Sequence, residues 1–367
     1  RPGQAIDDMT WKRVEQTALG AIDAGALPDG YDAATAATLV TAEALAIGPL
    51  TALLDDESVG RITVDGTAVR VLRDGRVEDA GAFSHPVFAV TAGLRLLAGA
   101  GQILDGHTPF GEAWLADGTR AHVAQPAVGG PYLTLDRPGQ GAQSLDEMVA
   151  GDVLSANMAA FLRHAIELGR NVIVSCNEVD ARFEFIGALL DAGAPHLRVV
   201  AVEGGGRLSR GAGARVVLSG APGADNVTLV QQAIKMRPDR LVVADARGPE
   251  AYHALSALGG AVNGGIIGVD AESPDDAIIR LMRHASLAQS IDAAQVDAAI
   301  RDTADVLVQL LHYADGRRRV TQIMDIDGEI QEVFNGLEAF RAQSGFVPRW
   351  VLNAQSLGFS IDANLFQ

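Results

Sequence analysis

One cysteine, Cys176, occurs among the 367 residues, which excludes an internal disulfide and any metal site built from several thiolates, and fits a reducing compartment. Aromatic residues are sparse at 5%, so aliphatic side chains must fill the core. Basic residues are outnumbered, 29 Lys and Arg against 46 Asp and Glu, and the resulting charge of −17 would repel a nucleic-acid backbone over much of the surface. Direct DNA or RNA binding is therefore not expected. Long apolar runs are also missing: no uncharged stretch reaches the ~18 residues that read as a membrane span, and the glycine-rich segment 255–269 falls short of it. A soluble, cytoplasmic protein is expected, one able to dock peripherally at the inner membrane. The chain starts at Arg1 rather than at an initiator, so a longer gene product with a segment upstream is expected.

What is present describes a folded protein. Hydrophobic residues make up 48% and charged residues 20%, the balance of an ordinary globular chain. The length exceeds what one hydrophobic core organises, so two packed units are expected. Residues 9–26 and 33–47 carry apolar side chains at helical spacing around the breaker Leu27-Pro28-Asp29-Gly30, which predicts a helical hairpin over 1–48. Short β-like runs follow at 61–64, 69–72, 113–115 and 121–123, separated by Asp65-Gly66, Asp74-Gly75 and Asp117-Gly118 turns. They define a small α+β domain over 49–137.

Residues 137–144 are rich in Gly, Pro and small polar side chains, and 138–150 reads as a linker. Beyond it, over 151–367, uninterrupted apolar runs at 172–174, 199–202, 216–218 and 241–244 alternate with helical stretches such as 183–191 and 249–258. Continuous apolar strands between helices predict a sheet buried on both faces, hence an α/β fold. No solenoid-type repeat is visible.

Several blocks recur in a fixed order. Asn171-Val172-Ile173-Val174-Ser175 is followed by a ten-residue turn and a helix, then by Val199-Val200-Ala201-Val202-Glu203 and by residues 236–248, Met-Arg-Pro-Asp-Arg-Leu-Val-Val-Ala-Asp-Ala-Arg-Gly. Gln102-Ile103-Leu104-Asp105 and residues 115–120 precede these blocks; Ser273-Pro274 with Ala277, Phe346-Val347-Pro348 and Leu365-Phe366 come after. This order resembles the type II/type IV secretion ATPase superfamily, most of all the CpaF/TadA-type motors of tight-adherence pili. The resemblance implies a C-terminal RecA-like domain of the P-loop NTPase type behind the smaller N-terminal domain. It also implies assembly as an oligomer and work beside inner-membrane platform proteins. Intact members of the family bind ATP with magnesium.

Set against that resemblance, the phosphate-binding loop is absent. The family's G-x-x-x-x-G-K-[ST] window falls on residues 176–183, Cys-Asn-Glu-Val-Asp-Ala-Arg-Phe. Cys176 and Ala181 stand in the glycine positions, and β-branched Val179 resists the backbone conformations that turn N–H groups toward phosphate. Arg182 keeps a charge at the lysine position without the geometry of an ammonium. Phe183 cannot ligate magnesium. Glu178, Asp180 and Glu184 add negative charge where a triphosphate would sit, so repulsion of nucleotide is expected. The plain alternative is an ordinary strand-to-helix connection.

The remaining family positions are altered too. Asp245 replaces the longer Glu of the Walker B block, Glu203 matches the glutamate of the Asp-box but is followed by Gly204, and Asp270 stands at the histidine of the His-box. Ala261-Val262-Asn263-Gly264 lies where a Gly-His-acid-Gly run is expected. Glu203, Asp245 and Asp270 are thus degenerate equivalents of catalytic groups. Arg120 survives in the N-terminal hairpin, where the family's arginine can reach a nucleotide held in a ring; a trans-acting role stands beside the plainer one of a solvated turn residue.

The expectation is a catalytically inactive structural or regulatory subunit, without cofactor, that packs with itself or with an intact secretion or pilus ATPase. Its rivals are a residual ATPase using Arg182 and Glu203 and a monomeric binding module. Glu203, Asp245, Asp270 and Glu272 could instead hold a hard cation, although strand-end acids usually pair with arginines such as Arg247. His107, His122, His164 and His253 lack a second histidine at ligand spacing, and Ser175 lacks the setting of a hydrolase nucleophile.

Overall fold

The computed structural model describes residues 8–22, 32–73, 76–105, 107–137, 144–203, 207–209, 215–219, 224–260, 262–288, 292–326, 330–337, 341–342, 346–354, 356 and 358–366. The breaker at 27–30, the Asp74-Gly75 turn, linker residues 138–143, Gly204 and Ala261 lie outside them. The chain divides into two compact units, Arg1–Pro138 and Gly139–Gln367.

In the first unit, helices α1 (Asp8–Ala21) and α2 (Ala33–Leu45) pack as a pair. The Asp32 carboxylate caps α2 by accepting from the Thr35 amide, and the Thr38 hydroxyl donates to Glu15 at 3.1 Å across the pair. Helix α3 (Leu50–Asp55) leads into strands β1 (Val59–Asp65), β2 (Ala68–Arg73) and β3 (Arg76–Ala82). Helix α4 (Pro86–Gly99) and strands β4 (Phe110–Trp114), β5 (Arg120–Ala124) and β6 (Tyr132–Asp136) complete the unit. The six strands run in the order β3-β2-β1-β6-β5-β4. Alternation places Ile62, Val64, Val123, Leu133 and Leu135 in one core with Ala89, Ala92 and Leu97 of α4.

The second unit opens with α5 (Leu145–Ala150), which starts on a Ser144/Glu147 capping box, and α6 (Ala156–Glu167), capped by Ser155. Then come β7 (Val172–Cys176), α7 (Val179–Asp191), β8 (Val199–Val202), β9 (Arg215–Leu218), α8 (Asn226–Lys235), β10 (Arg240–Val243), α9 (Glu250–Leu258) and β11 (Ile266–Val269). Helices α10 (Pro274–Ala285) and α11 (Ala293–Thr303) precede β12 (Val306–His312), β13 (Arg318–Asp325), β14 (Gln331–Asn335), β15 (Arg341–Ala342) and α12 (Arg349–Ala354).

The nine strands are ordered β15-β14-β13-β12-β7-β11-β10-β8-β9. From β12 to β9 every pairing is parallel, and β13 to β15 continue the sheet antiparallel. The apolar runs read from the sequence are four of these parallel strands: β7, β8 and β10 are buried on both faces, while β9 at the sheet edge is half-buried. One face holds Phe161, Phe185, Ile186 and Phe334, the other Leu229, Leu255, Leu281 and Ile300. This is the α/β architecture expected, with a RecA-like second domain and a smaller α+β domain before it.

The topology decides where a site can form. The chain enters the sheet at β7, lays β8 and β9 to one side, fills the gap with β10 and β11, and places β12 on the other flank of β7. Ligands of open α/β sheets bind beyond the strands' carboxyl ends where such an order switches. Cys176, Glu203, Asp245 and Asp270 all lie at that edge.

Gly268, inside β11, shows how tightly the edge is packed. A Cβ there would overlap the Ala244 carbonyl oxygen and approach Arg182 Cδ to 3.1 Å, while the Gly268 carbonyl must still accept from the Ala246 amide at 2.8 Å. Gly268→Ala should therefore lower stability by about 1–3 kcal/mol through overpacking. Denaturant unfolding of the full chain checks this, and an unchanged midpoint would refute it.

Candidate functional site

Strand β7 and helix α7 are joined by only two residues, Asn177 and Glu178. The ten-residue turn expected from the sequence is not there, because the helix begins at Val179 rather than near residue 183. The reason is local. Without glycines the chain does not wrap a wide loop, and Glu178 supplies a helix cap at once: its carboxylate accepts from the Asp180 amide at 2.8 Å and the Ala181 amide at 2.6 Å. Asn177 fixes the turn from the other side, donating to the His312 carbonyl at 3.1 Å and accepting from the His312 amide at 2.8 Å.

A helix N-terminus after a parallel strand is where a phosphate would be held, by exposed amides and the positive end of the helix dipole. Here the protein's own carboxylate holds those amides. Val179, Ala181, Arg182 and Phe183, expected in a loop, are residues of the first turns of α7. Cys176 ends β7, is fully buried, and has its thiol pushed up to about 11, chiefly by burial.

Arg182 turns inward rather than toward solvent. Its side chain is 0% exposed and forms an ion pair with Asp245 at 2.6 Å. It also donates to the Ala244 carbonyl and the Cys176 carbonyl, each at 3.2 Å. The charge at the lysine position and the acid at the Walker B position thus satisfy each other. Arg247 closes on Asp245 from the solvent side at 2.8 Å.

Of the three acids expected to repel a nucleotide, two have an arginine partner and the third sits on helix amides. Glu178 caps the helix. Asp180 pairs with Arg207, whose guanidinium lies 4.9 Å from the centroid of the Phe183 ring. Glu184 points away from the turn and pairs with Arg318; burial nevertheless raises its pKa, outweighing that arginine.

The other singled-out residues do not converge. Glu203 is buried, with Oε1 accepting from the Leu208 amide at 3.1 Å and Oε2 without a partner among the described residues. Burial pushes its pKa up to about 6, against the opposing pull of the Leu208 amide and Arg207. Asp270 is half exposed, with Arg280 at 3.9 Å. Among the described residues no group of three or more His, Cys, Asp or Glu side chains is placed to hold a metal ion, so the four strand-end acids do not form the cation cage weighed above.

In the first unit Arg120 forks onto Glu112 with two bonds of 3.0 Å and reaches Asp136 at 3.2 Å. The bonds to Glu112 are the main reason its pKa is raised. It is a partly buried ion-paired residue of the sheet rather than a free turn residue.

Sequence reasoning missed the capping role of Glu178, the partners Arg207 and Arg318, and Gly268. Only Gly268 left a signal, since a glycine inside an apolar strand marks close approach of another group. The ion pairs join residues 27 to 134 positions apart, a spacing that no local pattern reports.

The sheet order defines a RecA-like α/β domain. Relatives in sequence carry conjugal-transfer and secretion names. The chain is 28% identical over 257 residues, 65% of its length and 73% of the other, to a Mycobacterium tuberculosis protein with a provisional conjugal-transfer name. To the type IV secretion system protein PtlH of Bordetella pertussis it is 29% identical over 182 residues, 46% of this chain and 53% of that one. No protein-family profile matches the chain. Among solved structures, the pilus retraction motor PilT with bound ADP superposes with a TM-score of 0.52 at 12% identity, over 71% of this chain and 76% of that one. The chain is thus related to conjugal-transfer and type IV secretion proteins and shares the fold of a pilus motor. Among its described residues no helix is long and apolar enough to cross a membrane.

Glu203 yields a pH-dependent test. Its folded pKa of about 6 lies above the ordinary 4.5, so folding favours the protonated acid. The stability this confers is complete below about pH 4.5 and is lost as pH rises through about 6, a difference of about 2 kcal/mol at ~1.4 kcal/mol per unit. Glu203→Gln keeps the acceptor for Leu208 without the charge. It should match wild type near pH 4 and exceed it by up to about 2 kcal/mol at pH 8 in denaturant unfolding. Equal stability at pH 8 would show that the carboxylate is not desolvated.

Proposed function

We propose that this chain is a non-hydrolysing homologue of the secretion motors, acting as a structural or regulatory subunit of a pilus or type IV secretion machine. The observation that carries this reading is the Glu178 carboxylate seated on the Asp180 and Ala181 amides, where a nucleotide phosphate would have to bind. A phosphate could enter only by displacing a covalently attached competitor of the same charge. No cofactor is expected, and ATP with magnesium would be the cofactor of an intact partner.

The order of sequence blocks favours a tight-adherence machine of the CpaF/TadA type. Assembly would be with further copies or with an intact ATPase, at the cytoplasmic side of the inner membrane and next to its platform proteins. The rival, a residual ATPase using Arg182 and Glu203, is disfavoured because Arg182 is enclosed and already paired with Asp245. A trans-acting role for Arg120 would require breaking its fork with Glu112.

Calorimetric titration with ATP or ADP and magnesium should give a dissociation constant weaker than ~1 mM, since several lost phosphate contacts at ~1.4 kcal/mol per tenfold remove most of the affinity. A micromolar constant would overturn the reading. Grafting the family's loop over residues 178–183 should restore binding more than turnover, because hydrolysis also needs the groups altered at Asp245 and Asp270.

A further inference from the structure

A ligand held at this sheet edge would lie between the turn after β7 and the acid beyond β10. In this chain they are linked by protein. Arg182, on the first turn of α7, reaches across the sheet edge to Asp245 at 2.6 Å and to the Ala244 carbonyl at 3.2 Å, both just beyond β10. Its remaining bond, to the Cys176 carbonyl at 3.2 Å, ties in the end of β7.

β11 lies between β7 and β10 in the sheet, so the arginine stem must cross it. It does so over Gly268, where a side chain would close the passage. The helix end is held independently by Glu178. Cation and anion occupy complementary posts: the guanidinium stands in for the lysine and metal that would face the β10 acid, and the Glu178 carboxylate for the phosphate that would face the helix.

We propose that the Arg182–Asp245 pair is an internal surrogate for nucleotide, a conformational latch that holds α7, β7 and β10 in one fixed arrangement at all times. This inference rests on the reading of the site as nucleotide-free and adds a regulatory consequence to it. In an assembly the subunit would present one constant set of surfaces, a rigid reference rather than a cycling part. Such a latch differs from an ordinary buried ion pair because its three acceptors belong to two strands separated by a third. Releasing it should loosen the edge locally before it unfolds the domain.

Hydrogen exchange on the full chain tests the proposal. In wild type the amides of Asp180, Ala181, Arg182, Ala244 and Ala246 should be protected without nucleotide and unchanged by millimolar ATP and magnesium. Asp245→Asn should speed their exchange at least tenfold while β12 and α6 keep their protection. Because an unpaired buried guanidinium can unfold the domain, the double variant Arg182→Met with Asp245→Asn serves alongside: it removes both charges and should fold, yet show the same local acceleration.

Wild-type protection in the folded double variant would overturn the latch and leave the nucleotide reading untouched. Slower exchange in wild type on adding nucleotide would overturn it in another way, by showing a site still open to ligand, and would agree with tight binding in the calorimeter.

Discussion

A fully buried guanidinium is the constraint around which the carboxyl edge of the second domain is arranged. Removing an arginine from water costs several kcal/mol unless its donors are met by well-placed acceptors. Arg182 finds a carboxylate and two carbonyls, and each of these fixes something else. The Asp245 carboxylate requires the chain to leave β10 with its acid turned inward. The Cys176 and Ala244 carbonyls must lie close enough for one side chain to span them, which holds the turn to two residues and keeps residue 268 free of a side chain.

Around this pair three acids of α7 each meet an arginine. Asp180 with Arg207, Asp191 with Arg215 and Glu184 with Arg318 all join α7 to neighbouring segments, so the helix is pinned along its length. At the opposite edge Arg240 behaves differently. It is buried with no carboxylate partner among the described residues and donates to the Ile166 carbonyl at 2.9 Å near the end of α6, where the helix dipole favours a cation; burial pulls its pKa down to about 10. One buried arginine thus closes a helix end, and the other bridges strands.

Much of the fold was legible because it is written in short periodicities. The four apolar runs of the second domain are strands of the parallel sheet, and the helical stretches at 183–191 and 249–258 lie within α7 and α9. Two further parallel strands, β11 and β12, are apolar runs of the same kind, Ile266-Ile267-Gly268-Val269 and Val306-Leu307-Val308, and were equally legible though not among those four. β3, by contrast, carries mainly exposed residues, so no apolar alternation marks it. At the site, sequence gave the positions of Arg182, Asp245 and Glu178 but not their partnerships. Glu178 looks like unfavourable charge in a phosphate loop and becomes a cap only once the helix is known to start at Val179. Arg182 looks like a residual phosphate ligand until the strand order brings Asp245 to it. Charge sign is local information, whereas who neutralises whom depends on topology.

The enclosure of Arg182 also bears on how this chain can change over time. A single replacement on either side of the pair leaves an unmatched charge in the interior, at about 3–5 kcal/mol, against a total stability of about 5–15 kcal/mol for a typical domain. A charge-conserving exchange such as Arg182→Lys or Asp245→Glu instead keeps a cation opposite an acid, although a lysine gives up the planar fork that also reaches the Ala244 and Cys176 carbonyls. The ion pair therefore works as a filter on variation: the surface can vary freely, while at these two positions a single exchange that keeps the charge leaves the interior matched and one that removes it does not.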